Sequence, residues 1–202
     1  MLQGDEMRNR IPGILSALML LALAGTAQAG APAGFSLPPL LMQTDAFPDG
    51  GIVPEKYVFR GAGVQPGFKF SNAPATTVTY AIIFHDIDVA LQGGTDDVLH
   101  WMAWNIPAAA NGIPEGKLPE GSVTGKNITG QNTYMGPGAP PGPRLHHYVF
   151  ELYALNAKLE LPDTASRADL LAAMKGKTVA KAAYVGRYVG PAAPAAAPAA
   201  PK

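Results

Sequence analysis

The chain has 202 residues, with 15 Lys+Arg against 15 Asp+Glu and a formal net charge of zero, so it offers no electrostatic case for nucleic acid or an anionic membrane surface. The absence of cysteine excludes a disulfide staple, a thiolate metal site and a lipid-modified cysteine. With 48% hydrophobic residues there is material for a sizeable core, while 23 Gly and 20 Pro favour short strands and many turns over long helices.

In chain order, the basic stretch at Arg8 and Arg10 precedes the apolar run IPGILSALMLLALAG and the small-x-small pattern Ala27-Gln28-Ala29. That order predicts a secretory signal peptide over residues 1–29, with Met7 as the start, because the run is short for a membrane-spanning helix. Residues 30–39 read as a spacer, 40–189 as one folded domain, and 190–202 as a Pro/Ala-rich tail with little to bury. Within the domain, VTYAIIF (78–84), HWMAWNI (100–106), YVFELYAL (148–155) and TVAKAAYVGRYV (178–189) read as strands, each bounded by glycine, proline or polar clusters. The first is apolar on both faces and is expected between two packed layers. One stretch reads as helical: Ser166 and Asp169 form a capping-box pattern, Leu170, Leu171 and Met174 an apolar stripe, and Gly176 a stop. The fold class is all-β, a mainly β sandwich with one or two short helices near the C-terminus.

The four histidines fall in two regions. His85 and His100 flank an acidic loop, HDIDVALQGGTDDVLH, and His146 and His147 end the Gly/Pro stretch GPGAPPGPRL. If the strand ends converge, Asp86, Asp88, His100 and His146 meet at one rim. Adjacent residues on a strand face opposite ways, so only one of His146 and His147 looks into any one pocket; Trp101 and Trp104 likewise fall on opposite faces. An Asp-x-Asp after a strand is more often a solvated turn than a site, and a histidine entering an apolar strand is more often a satisfied core or surface residue than a ligand. The sequence has no Gly-x-Ser-x-Gly elbow, P-loop or HExxH pattern, and the acidic loop lacks EF-hand spacing. A metal site of His100, His146 and Asp86 is conceivable in composition, but no spacing specifies it.

Four pieces in order carry a resemblance. FPDGGIVPEKYVFRGAGVQPGFKFSNAP, HDIDVA, LHWMAWNIP and GPGAPPGPRLHHYVFELYAL resemble the opening, the Asp-Pro-Asp loop, the His-Trp strand and the Gly/Pro loop with His-x-Tyr of the phosphatidylethanolamine-binding proteins, in their bacterial branch. The resemblance implies a β-sandwich of two antiparallel sheets with a small anion pocket near one end. Carried onto this chain, the pocket is lined by Asp86, His100, the loop backbone near Gly138 and Pro140, His146 and Tyr148. The sequence departs from the pattern at Ile87 and at Val89-Ala90, where rigid prolines are lost, and at Val98, where a tryptophan wall becomes smaller.

The chemistry expected of such a pocket follows from the residue types. Glycine lets backbone N–H groups approach an oxyanion and proline stiffens the loop, so the stretch is expected to form a preformed anion cradle. Histidine and tyrosine supply further donors, and Asp86 orients a histidine tautomer or receives an ammonium group. The expectation is a periplasmic or secreted binding protein for a phosphate- or carboxylate-bearing ligand such as phosphate or phosphoethanolamine, non-catalytic and without a cofactor. Two alternatives stand beside it: a regulator that docks a peptidase or kinase through the pocket rim, and a hydrolase or metal enzyme using His100, His146 and Asp86.

Overall fold

A computed structural model describes residues 39–192; the expected signal segment, the expected spacer up to residue 38 and the expected tail from residue 193 lie outside the described residues. In chain order the elements are β1 (Leu41–Gln43), β2 (Gly51–Ile52), β3 (Phe68–Ser71), β4 (Thr79–Asp86), β5 (Val98–Pro107), β6 (Gly112–Ile113), β7 (Val123–Thr124), β8 (His146–Leu155), α1 (Arg167–Met174) and β9 (Thr178–Tyr188). They form a three-stranded sheet, β1-β3-β6, and a six-stranded sheet, β2-β9-β8-β4-β5-β7. The sandwich is antiparallel with one correction: β2 runs parallel to β9. Gly50 N–H and Val53 N–H also bond carbonyls of β9, at Val185 and Arg187, which fixes that short strand at the sheet edge.

β4 explains the layering. All eight of its residues are buried, the apolar run Tyr80–Phe84 and the polar Thr79, His85 and Asp86 alike, as a strand covered on both faces requires. Tyr80, Ile82 and Phe84 pack towards the small sheet, whose Phe70 ring lies 4.9 Å from Tyr80, and Phe84 stacks 3.9 Å from Phe150 of its own neighbour strand β8. Ala81 and Ile83 pack the other way, with Met102, Trp104, Leu155 and the helix residues Leu170 and Met174. Trp101 and Trp104 fall in these two opposite clusters, as their spacing requires.

The helix α1 begins at the expected capping box: Asp169 N–H donates to the Ser166 hydroxyl oxygen, and Ser166 N–H donates to the Asp169 carboxylate. Leu170 and Met174, four residues apart, are its buried stripe; full burial of Leu170 contributes about 2 kcal/mol. Leu171 does not belong to that stripe. It is 43% exposed, because one residue's rotation of about 100° carries it off the single face α1 buries. On β5, Asn105 takes a left-handed conformation (φ 57°), and its side chain clasps both the N–H and the carbonyl of Leu159, tying the chain ahead of α1 to the sheet.

Candidate functional site

The strand order β8-β4-β5 brings three strand ends together. Asp86, at the end of β4, stands opposite Tyr148 on β8, and directly paired residues share a face. His146 lies two residues before Tyr148 on β8 and so projects the same way. β5 starts beside them at Val98, opposite Asp86, and a bulge between Phe84 and His85 bends this end of the pair. The His100 ring reaches 5.2 Å from the Tyr148 ring and 5.4 Å from that of Phe84, and the His146 ring lies 6.4 Å from Tyr148 on its other flank. Asp86, His100, Gly138, Pro140, His146 and Tyr148 all line one cavity of about 340 Å³.

The hydrogen bonds at this cavity define which atom of each group carries a proton. His100 Nδ1 stands 3.0 Å from the Met135 carbonyl oxygen and 3.1 Å from that of Gly136, so it is the protonated nitrogen and donates to both. His146 Nδ1–H donates to an Asp86 carboxylate oxygen at 2.8 Å. The other Asp86 oxygen accepts the Asp88 N–H at 3.0 Å, which curls the acidic loop back over its own carboxylate. Tyr148, with no exposed surface, accepts N–H donors from Gly138 at 3.2 Å and Ala139 at 2.9 Å, and its phenol faces the Asp86 carboxylate. The Thr129 hydroxyl donates to Asn127.

Burial dominates the electrostatics. It pulls His100 below the ordinary histidine range, against the opposing pull of the Met135 carbonyl and the Asp86 charge. Burial, followed by the Asp86 charge, holds the Tyr148 phenol far above its ordinary range and therefore neutral.

Two sequence expectations need correction. The amides of the Gly/Pro loop are not a free anion cradle: Gly138 and Ala139 N–H donate to Tyr148, so the loop is fastened to β8 rather than held open to a ligand. The glycine that needs its missing side chain is Gly136, where a Cβ would sit 2.3 Å from the Tyr57 carbonyl oxygen. Asp88 is also absent from the cavity wall. It binds Arg144 at 2.6 Å and both the Nδ1–H and N–H of His147, at 2.8 and 2.5 Å, on the sheet face that His147 takes. His85, one residue before Asp86, points to the opposite face, where Asp97 holds it at 2.6 Å and Arg167 of α1 holds Asp97.

The remaining wall is apolar and was missed in the sequence: Phe59, Val89 and Met135 line it beside the Val98 already noted. Met135 stood beside the Gly/Pro loop and was within reach of inference. Phe59, 59% exposed, has no local signal; it arrives through its N–H, which donates to Pro137 O. A broader depression of about 420 Å³ lies by the small sheet, but its charges are already matched as Lys69–Asp45 and Lys56–Glu115 pairs. No group of three His, Asp or Glu side chains among the described residues stands close enough to hold a metal ion.

Known proteins resemble the chain in sequence and in fold. The UPF0098 protein of Methanothermobacter thermautotrophicus is 36% identical over 152 residues, covering 73% of this chain and 97% of the relative. A Mycobacterium tuberculosis protein named as the lipoprotein LppC is 31% identical over 75% of this chain and 73% of its own length. Among solved structures, the phosphatidylethanolamine-binding protein homologue CT736 of Chlamydia trachomatis superposes with a TM-score of 0.69 at 28% identity, over 76% of this chain and 99% of that one. E. coli YbcL, described as a member of the mammalian PEBP family, superposes with the same TM-score at 26% identity, over 75% and 99%. The family profile named phosphatidylethanolamine-binding protein matches residues 43–189, and the chain belongs to that family.

Proposed function

We propose that this is an exported binding protein whose cavity takes a phosphate- or carboxylate-bearing ligand of phospholipid-headgroup type and releases it unchanged. The observation that carries the reading is the convergence of Asp86, His100, His146 and Tyr148 on one cavity with apolar walls at Val89, Val98 and Met135. A few fixed polar groups set in an apolar wall are the usual composition of a small-molecule site. Protonated imidazole supplies N–H donors and charge to an oxyanion, and the Asp86 carboxylate supplies the counter-charge for an ammonium on the same ligand. Absence of turnover is supported by the state of the cavity hydroxyls: Tyr148 and Thr129 are engaged with other partners, and among the described residues no hydrogen bond joins either to a histidine.

Export is supported by the signal pattern at residues 1–29 and by the lipoprotein name of the mycobacterial relative, although this sequence has no cysteine to carry a lipid. No helix among the described residues is long and apolar enough to cross a membrane. A second reading, docking of a protein partner at the rim, is favoured by Phe59, which lines the cavity yet is 59% exposed.

The test is calorimetric titration of the native protein and the His100→Ala and His146→Ala variants with phosphate and phosphoethanolamine. Binding to the native chain that weakens at least tenfold in each folded variant is the expected result. Undiminished affinity in both variants overturns the reading. Envelope proteins captured on the native chain and displaced by phosphate would favour the docking reading.

A further inference from the structure

The Gly138 and Ala139 N–H groups at the cavity wall donate to Tyr148 and the Thr129 O–H to Asn127, while the Tyr148 phenol faces the Asp86 carboxylate as an acceptor for its own proton. The Nδ1–H of His100 goes to two carbonyls, which only accept, and that of His146 to a carboxylate. The tautomer of each neutral ring is therefore fixed, and its Nε2 is a lone pair. Among the described residues neither Nε2 has a protein partner, and neither is a sealed polar atom, so both are open on a cavity that the two rings line. With neutral rings, such a wall presents two acceptors and a carboxylate to an incoming oxyanion, which is itself an acceptor.

Resting on the ligand class proposed above, we propose that an oxyanion enters this cavity only together with a proton placed between it and an imidazole Nε2. The site therefore prefers oxyanions that carry their own O–H, the hydrogen phosphates and phosphomonoester monoanions, over sulfate. Hydrogen phosphate donates its O–H to Nε2 and brings the proton with it. Sulfate has none at neutral pH, so a proton from solvent or buffer must first convert Nε2 into N–H, and one proton is taken up for each sulfate bound.

The surroundings of both rings allow that step. His100 is faced by the Asp86 charge from β4, the neutral Tyr148 from β8 and the Met135 and Gly136 carbonyls, with His85 behind the sheet as the opposing charge when protonated. His146 is faced by Asp86, by Tyr148 and by its β9 partner Tyr188, while the Asp88–Arg144–His147 group lies on the other face. Asp86 is thus the fixed anion near both rings, and at His100 its charge opposes the burial that disfavours protonation.

The experiment is calorimetric titration of the full chain with sodium sulfate and with inorganic phosphate, from mildly acidic to mildly alkaline pH. Each pH is run in two buffers of different ionisation enthalpy, with His146→Ala alongside. Sulfate is expected to take up close to one proton per anion above neutrality and to weaken about tenfold per pH unit there, with phosphate taking up fewer protons and weakening less. Sulfate binding of constant affinity and buffer-independent heat overturns the coupling while leaving the site intact. Equal binding of both anions to His146→Ala and the native chain, or no binding to either, overturns the site itself and the coupling with it.

Discussion

Asp86 and His146 lie 60 residues apart in the chain and 2.8 Å apart in space, carboxylate oxygen to ring Nδ1. Because the carboxylate only accepts, the ring must be protonated on the near nitrogen, and its far nitrogen is the one left for a ligand. Asp86→Asn keeps the size of the group but removes the charge that supports a protonated His100 ring, the form sulfate needs. Sulfate affinity is expected to fall about tenfold, with its pH dependence moving to lower pH, while phosphate affinity changes less. Calorimetric titration at several pH values checks this; equal or tighter sulfate binding by the variant contradicts it.

Tyr148→Phe separates structure from binding. Removing the phenol oxygen leaves the N–H groups of Gly138 and Ala139 without their acceptor, at a loop whose Ala139 is buried. The expected cost is about 1–3 kcal/mol of folding stability, read from denaturant unfolding. The freed amides then face the cavity, so phosphate affinity should fall less than in His146→Ala. A variant as stable as the native protein would show that the loop is not fastened there.

The lowered pKa of His100 has a signed consequence. The unfolded chain, with an ordinary histidine near pH 6.5, takes up the proton before the folded chain does. Stability from this residue is therefore complete above about pH 6.5 and is lost as pH falls from there towards the lower folded value, by up to about 1.4 kcal/mol per pH unit. Denaturation midpoints of the native chain should fall with acid more steeply than those of His100→Asn, and phosphate should reduce the difference. Parallel curves for the two proteins would contradict it.

Much of the architecture was legible because it follows from periodicity. The unbroken apolar run of β4 required cover on both faces, and the Ser166–Asp169 pair announced the start of α1. His146 and Tyr148 share a face because they are two residues apart on a strand, and the family resemblance, not the spacing, pointed that face at a pocket. The partners that groups choose when several compete were not readable. The loop amides turned to the phenol of Tyr148 instead of to open space, and Asp88 turned to Arg144 and His147 instead of joining Asp86. Both outcomes depend on side-chain reach across strands, which residue order does not encode. Phe59 shows the same limit, since its place at the cavity depends on a backbone bond to Pro137.

The central claim, an oxyanion held between the His100 and His146 rings, is tested most directly by imidazole ¹⁵N–¹H NMR of the full chain during phosphate titration. With four histidines in the sequence the spectrum is assignable by single substitution. The account predicts that the Nε2 resonances of His100 and His146 move together with phosphate, while both keep their Nδ1–H signals and those of His85 and His147 stay in place. Shifts confined to His85 or His147, or Nε2 resonances that remain unmoved at saturating phosphate, would contradict it.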